Sequence, residues 1–397
     1  MLKKRLGPDS YLIGAPTGVA AVLINGKTLH SLFKLPRNSS DFKELKGEAA
    51  RELANMFETV KYLILDEWSM CGCATLSMID ERCKQATGNY EEDFGGLYVM
   101  LLGDGKQLPP VNDASLYSKI QNNDRARKGK LLINNFKGRF TLSTSHRQQG
   151  DHEFLKILDN VGDANVSDED FKTLASRFDY KISSEEKQSF EDAIRLFSKK
   201  ADRATSDKAE GLERYLYLAK NCKIMLRSNL WLEKGLVNGA MGRIHDVIFD
   251  PACPDMPAVL LCEFENYTGP SLIPNLKVVP IKPVLKSWSD KGQNCTRFQF
   301  PVCLAYAVSI HKSQGMTLDK AVVNIGPSEF AFGLSYVAFS RVRKLSDMMI
   351  YPFLSQRLKS LSLIPALQHR NDFMNLKDSS TGPGSLNTFF KIQLMIQ

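Results

Sequence analysis

At 397 residues the chain exceeds one ordinary hydrophobic core, so two or more domains are expected, and 43% hydrophobic residues suffice to pack them. The 52 Lys and Arg residues against 44 acids leave a net charge of +8, a mild excess that suits a polyanionic partner without requiring one. Eight scattered cysteines with no C-x-x-C pair, and six histidines without ligand spacing, argue against a disulfide framework and against a zinc site.

The basic, apolar opening MLKKRLGPDSYLIGAPTGVAAVLI is interrupted by Pro8, Asp9 and Pro16, so it does not read as a signal peptide. No run nears the ~20 apolar residues of a membrane span. An intracellular protein is expected.

In chain order, YLIGA (11–15) is a buried strand that turns through APTGVAA (15–21) into a helix. Thr17 and the amides near Gly18 can hold an anion at that helix start. NGKTLHSLFKLP (25–36) follows, with His30, Phe33 and Lys34 able to meet bases and phosphates, although such a segment is commonly a plain amphipathic loop. YLILD (62–66) is the second buried strand, ending on Asp66 and Glu67 as the metal-binding strand of a P-loop ATPase ends. Asp66 can hold Mg²⁺, and Glu67 can position or deprotonate a water. A DE pair alone is more often an ordinary strand end with two solvated acids.

The third strand, LYVMLLGD (97–104), strengthens the functional reading because it runs into GDGKQLPPV (103–111). Asp104 and Gln107 leave the sheet edge together, and a glutamine there can contact a γ-phosphate or the attacking water. Helix-like sequence such as CATLSMIDERCKQA (73–86) separates the strands, which predicts an α/β domain with covered sheet faces and a ligand edge at the strand ends.

TSHRQQGD (144–151) places Arg147 after a short strand, and polar, helix-forming sequence fills roughly 151–220. KIMLRSNL (223–230) reads as a strand. From 241 to 300 apolar and polar residues alternate between Pro and Gly punctuation, which predicts a small barrel-like β module. YAVSIHKSQGMTLDKAVVNIG (306–326) places His311, Lys312, Ser313 and Gln314 at a helix start, and FGLSYVAFSRVRK (332–344) carries Arg341 and Arg343. Past Phe353 the chain becomes polar, with SSTGPGS (379–385) expected to be flexible.

Taken in order, these segments resemble the Pif helicases (the petite integration frequency family), RecD-like members of helicase superfamily one. APTGVAA and TLHSLF resemble the early single-strand contact motifs, and LILDEWSM the metal motif. DFGGLYVMLLGDGKQLPPV resembles the family signature and γ-phosphate sensor. SHRQ, KGLVNGAMG (234–242), SIHKSQGMTL and VAFSRVR resemble the later motifs.

The resemblance implies two RecA-like P-loop NTPase lobes with an SH3-like β-barrel insertion in the second. Its boundaries fall at 1–145 for the first lobe, 146–240 and 301–355 for the two parts of the second, 241–300 for the insertion and 356–397 for a polar tail. ATP and Mg²⁺ would sit between the lobes, with Asp66 on the metal and Glu67 as catalytic base. Gln107 would sense the γ-phosphate, and Arg147 and Arg341 would be presented by the second lobe. Asp104, Gln314 and Gly315 would lie on the nucleotide side, while Thr17, Gly18, His30, Phe33, His311 and Lys312 would lie on the DNA side. The implied function is 5′-to-3′ unwinding of DNA, acting on single strands and forks in repair, recombination or telomere maintenance. A monomer is expected, in the nucleus rather than the mitochondrion.

The sequence departs from the family in three places. Asp93 replaces a proline before FGG. Gly105 replaces a bulky aromatic after GD, which is expected to loosen the sensor loop. No G-x-x-x-x-G-K-[ST] phosphate loop occurs anywhere in the chain. The family begins with a strand, that loop and a helix, on the order of 30 residues, ahead of APTG. An amino-truncated chain is therefore expected, with one strand of the first sheet left unpaired at a central position. The competing reading is an ATPase-dead remnant that keeps only its grip on single-stranded nucleic acid.

Overall fold

The computed structural model describes residues 7, 9–119, 123–136, 138–142, 145–148, 150–198, 212, 215–251, 253–274, 276–290, 293–375 and 392–396. The three apolar runs become neighbouring parallel strands β1 (Tyr11–Ala15), β3 (Tyr62–Leu65) and β4 (Tyr98–Gly103). With β2 (Lys27–Thr28), β5 (Gly138–Leu142) and β17 (Ile392–Ile396) they form a sheet of order β2-β1-β3-β4-β17-β5, every pairing parallel. Strands this apolar need cover on both faces. Leu63, Leu65, Val99 and Leu101 share one core with Leu76, Ile79 and Cys83 of helix α2 (Cys73–Thr87) and Ile133 of helix α3 (Asp124–Asn134). The shorter helix α1 (Gly18–Leu23) follows β1, capped by Thr17.

A second parallel sheet, order β14-β6-β15-β16, comprises β6 (Ile194–Phe197), β14 (Ala307–Ser309), β15 (Ala321–Asn324) and β16 (Met348–Ile350). Its core joins Phe154, Ile157 and Leu158 of helix α4 (His152–Gly162) to Val337 and Phe339 of helix α6 (Leu334–Phe339). The one-turn helix α5 (Ile310–Ser313) leads directly from β14. These are the two α/β lobes.

The β module is larger than 241–300 and differs from the expected barrel. Strands β8 (Met241–Asp250), β9 (Cys253–Phe264) and β10 (Val278–Ile281) share one antiparallel sheet with β7 (Lys223–Leu226) and β13 (Val302–Leu304), in the order β10-β9-β8-β7-β13. Strands β11 (Val284–Asp290) and β12 (Gln293–Gln299) form a separate hairpin. Among the described residues no pairing closes these strands into a barrel.

The expected polar tail from 356 is also corrected. Helix α7 (Pro365–Asn375) docks on the first lobe, with the Phe373 ring 6.1 Å from Trp68. Phe373 belongs to the first-lobe core because an apolar face survives in an otherwise polar helix. Strand β17 then enters the first sheet between β4 and β5, paired to both. An unpaired strand was expected at a central position of this sheet, whereas β17 pairs with both neighbours at the fifth of its six places. The stretch 379–385 lies outside the described residues. Among the described residues Cys71, Cys73, Cys83, Cys222, Cys262, Cys295 and Cys303 are free thiols, and no helix is long and apolar enough to cross a membrane.

One contact sets how closely the first-lobe helices pack. A Cβ at Gly129 of α3 would stand 1.8 Å from the Cys73 carbonyl oxygen at the start of α2. The colliding atom is backbone, so only movement of a whole helix relieves it. Gly129→Ala is therefore expected to cost about 3 kcal/mol or more, whereas exposed Lys128→Ala stays within about 0.5 kcal/mol. Urea denaturation of the two variants checks this.

Candidate functional site

The carboxyl ends of β3 and β4 bring three carboxylates together. The Asp66 N–H donates to Gly14 O at 2.8 Å, which carries the sheet ladder to the last residue before the turn. Glu67 then takes a left-handed backbone, φ 53° and ψ 46°, at a cost of about 1–2 kcal/mol for a residue with a Cβ. Gly103 lets β4 pass close beneath, since a Cβ there would lie 2.8 Å from the Trp68 nitrogen.

Burial raises Asp66, Glu67 and Asp104 above the ordinary carboxylate range. For Glu67 the Asp66 charge adds to that rise, while a hydrogen bond from Gln314 and the Arg341 charge oppose it. Asp104 is opposed by hydrogen bonds from the Lys106 N–H, the Tyr336 hydroxyl and the Gln107 amide.

The second lobe closes on this cluster. Gln314 Nε2 donates to Glu67 Oε2 at 3.2 Å, and a Cβ on Gly315 would lie 3.9 Å from Glu67 Oε1. Arg147 donates from Nε to Thr317 Oγ1 and from Nη1 to the Ser340 carbonyl, both at 3.1 Å. Its pKa is lowered by burial and supported by Tyr336, Glu67 and Asp104.

Arg341 differs from the expected presented arginine. It is buried, and its guanidinium donates to the Val337, Ser313 and Met316 carbonyls and to Ser340 Oγ. Burial and the neighbouring Arg147 lower it to about 10. Its charge reaches Glu67, while its donors are spent on the backbone that carries Gln314 and Gly315.

The sensor loop is clamped rather than loose. A Cβ on Gly105 would lie 3.3 Å from the Trp68 ring and 3.5 Å from Met374 Sδ, so the space of a bulky residue is already taken. Next to it, Lys106 runs across to α4 of the second lobe. Its ammonium meets Asp159 at 2.8 Å and Asp163 at 3.0 Å. Arg370 of α7 donates to Asp163 at 3.0 Å and to the Gly162 carbonyl at 2.8 Å. Sequence reasoning missed Lys106, Tyr336 and Arg370. A lysine inside GDGKQLPP is their one local signal, and it names no partner. Asp93 simply accepts from Asn135 Nδ2 at 2.9 Å.

Among the described residues, Gln107 Oε1 and Gln314 Oε1 are buried without a hydrogen-bond partner. Among the described residues no three acidic, histidine or cysteine side chains converge as a ready metal cage, so Asp66 and these orphaned acceptors fit a divalent cation only if water and phosphate oxygens complete its shell. They do not form a cradle for the phosphates themselves, because acids dominate and the Lys106 ammonium is already paired.

On the other expected surface, Thr17 Oγ1 accepts from the Ala20 N–H at 3.2 Å, and a Cβ on Gly18 would meet Val237 at 3.2 Å. His30 is exposed on its one-turn helix. Burial and the Arg37 charge nevertheless lower its pKa. His311 and Lys312 lie on α5, and the His311 ring stacks on Phe330. Phe33 is corrected: it is fully buried, 6.1 Å from the Phe57 ring, and cannot meet a base. Phe33 is the C-cap just past the one-turn helix Leu29–Leu32, so it leaves the helical face that carries His30.

Residues 4–172 match the model of the PIF1-like helicase family. The ATP-dependent DNA helicase PIF1 of Xenopus laevis is 27% identical over 390 residues, covering 89% of this chain and 57% of the relative. The chain thus spans about half the length of the curated relatives it matches. A structure describing DNA unwinding at forked double-stranded DNA by two coordinating Pif1 helicases is 25% identical, with TM-score 0.64, covering 90% of this chain and 85% of that one. Bacteroides Pif1 bound to single-stranded DNA is 25% identical, with TM-score 0.63 and coverages of 90% and 86%.

Raised folded-state carboxyls bind protons over a window in which the unfolded chain has lost them, so stability falls as pH rises through that window. Glu67→Gln removes a buried charge and leaves an acceptor for Gln314. Its thermal midpoint is expected to exceed the parent's at pH 8. The gap should close by about pH 4, where glutamate nears neutrality in both states. Thermal unfolding across that range checks the sign, and a gap that widens on acidification contradicts it.

Proposed function

We propose that the chain is a PIF1-like helicase, the family whose model matches residues 4–172, and that it is built for ATP-driven 5′-to-3′ movement on DNA. The observation that carries this reading is the Gln314–Glu67 hydrogen bond, 3.2 Å long. It joins a strand-end carboxylate of one RecA-like lobe to the His-Lys-Ser-Gln segment of the other. A site shared between lobes in this way opens and closes with them, which is what couples nucleotide chemistry to a step along a strand.

In this reading Asp66 would hold Mg²⁺, and the cation would supply the positive charge that the phosphates need. Glu67 positions a water and takes its proton, its raised pKa placing it nearer the working pH. Gln107 offers its unpartnered Oε1 toward that water or the γ-phosphate, with Asp104 fixing its amide. Arg147 is the arginine turned toward the carboxylates. Arg341 acts behind it, holding the carbonyls on either side of Gln314 and Gly315. An arginine presented to a transferring phosphate is worth about 10³–10⁵ in rate.

DNA-side roles go to Thr17, Gly18, His30, His311 and Lys312, with a single strand lying across both lobes and the β module beside it. The biological setting follows the family: forks, repair, recombination or telomere maintenance, in the nucleus, with a monomer as the acting unit. The domain boundaries follow the lobes, with the β module drawn out to include β7 and β13. A second reading, single-strand binding without hydrolysis, is favoured by one observation. The 397 residues contain no phosphate loop to supply amides, a lysine and a hydroxyl.

Steady-state ATP hydrolysis with and without single-stranded DNA separates the two. The 397-residue chain is expected to show negligible turnover. A chain extended by an in-frame strand, phosphate loop and helix is expected to turn over, and Glu67→Gln should abolish that gain. DNA-stimulated hydrolysis by the 397 residues alone, lost in Glu67→Gln, contradicts the requirement for the loop.

Binding gives a second check. If about 4–6 phosphates are neutralised, log K against log salt should slope at about −3 to −4 for single strands. Lys312→Ala should flatten that slope by about one phosphate's worth, and Asp66→Asn should leave it unchanged. A flat response counts against the groove.

A further inference from the structure

Phe330 is half exposed, yet both sides of it are fixed. Glu329 accepts from Ser335 and from Arg357, the latter at 2.7 Å, so the residue before it is anchored in the second lobe. Phe332, two residues on, is buried beneath the Arg370 guanidinium. A ring held this rigidly in water has paid its ordering entropy in advance.

Its one ring partner is informative. The Phe330 and His311 rings lie 5.8 Å apart with 16° between their planes. Ile310 and Ser313 of α5 are buried, which turns His311 and Lys312 outward from the same helical turn. Scattered exposed apolar side chains need no explanation. A near-parallel aromatic pair with a lysine next to it along the chain is a more specific arrangement. It joins a flat π surface to a cation, as a nucleotide joins a base to a phosphate.

We propose that Phe330 and His311 form a stacking platform for one base of a single-stranded nucleic acid, with Lys312 beside it for the phosphate. This rests on the reading that single strands cross the lobes. Among side-chain partners, an apolar peptide side chain would gain little from the adjacent cation, and a duplex keeps its base faces covered. The occupant is therefore an unstacked base. Because every base has a π face, the platform discriminates stacked from unstacked bases rather than one base from another.

The test compares the full chain with Phe330→Ala and Phe330→Trp on oligothymidine and on a matching strand carrying abasic sites, across a salt series. Phe330→Ala is expected to weaken oligothymidine binding about 5- to 150-fold and to leave abasic binding and the salt slope unchanged. Phe330→Trp should retain affinity, and its added fluorescence should be quenched on binding. If the parent binds with the expected salt slope but Phe330→Ala matches it, or weakens both strands equally, the platform is wrong and the groove stands. If the parent shows no preference for single strands at all, both readings fall together. Thermal unfolding of Phe330→Ala confirms that any loss is not misfolding, and Phe330→Trp keeps the test decisive if the alanine variant is unstable.

Discussion

The position of Lys106 between the lobes is the constraint on which the site depends. A lysine four residues before the end of QLPP leaves the first lobe and ends between two aspartates one helical turn apart, Asp159 on α4 and Asp163 at its C-cap. Its stem is buried and its head is paired, so neither part is free to wander. The approach is close enough that a Cβ on Gly162 would stand 2.5 Å from Lys106 Cδ. Hydrogen bonds to a charged group are worth about 1.5–3 kcal/mol each. The half-exposed aspartates place this pair toward the lower end. Arg370 ties α7 to the same helix end, so three distant stretches of chain meet at one sensor loop.

That clamp explains why three carboxylates tolerate one another. Their pKa values are all pushed up by burial, so without compensating charge the site is a source of instability. Arg147 and Arg341 supply part of that compensation from across the cleft. Perturbed groups concentrated in a cleft mark a functional site more often than a structural one. The left-handed Glu67 adds a second, independent cost at the same place. Both costs are met by packing elsewhere, chiefly by Trp68, which is fully buried beneath the turn.

The same logic separates the two arginines. Both are drawn to the carboxylates, but their hydrogen bonds differ in kind. Arg341 spends its donors on carbonyls around the Gln314 turn, which makes it a scaffold with a charge. Arg147 keeps part of its guanidinium uncommitted by the bonds described above. A sequence motif cannot express this difference, because both positions are simply arginine after a short element.

Much of the architecture was legible in the residues alone. Continuous apolar runs such as YLILD and LYVMLLGD, alternating with helix-like sequence, read as buried parallel strands, and the acids after them then fall on one sheet edge. The order of motifs pointed to an α/β protein with parallel sheets, which the two parallel sheets match. What the sequence could not show were outcomes of long-range packing. Phe33 and His30 lie three residues apart, and only the docked helix decides which one meets the core. IQLMI looks like a fragment of a polar tail, but its backbone groups pair with β4 and β5. Lys106, Asp159, Asp163 and Arg370 are spread over more than half of the chain, and no local pattern links them. Periodicity reports which face of an element is apolar. Which buried polar groups find one another is settled only when the lobes close, because an unpaired charge in the interior is too costly to keep.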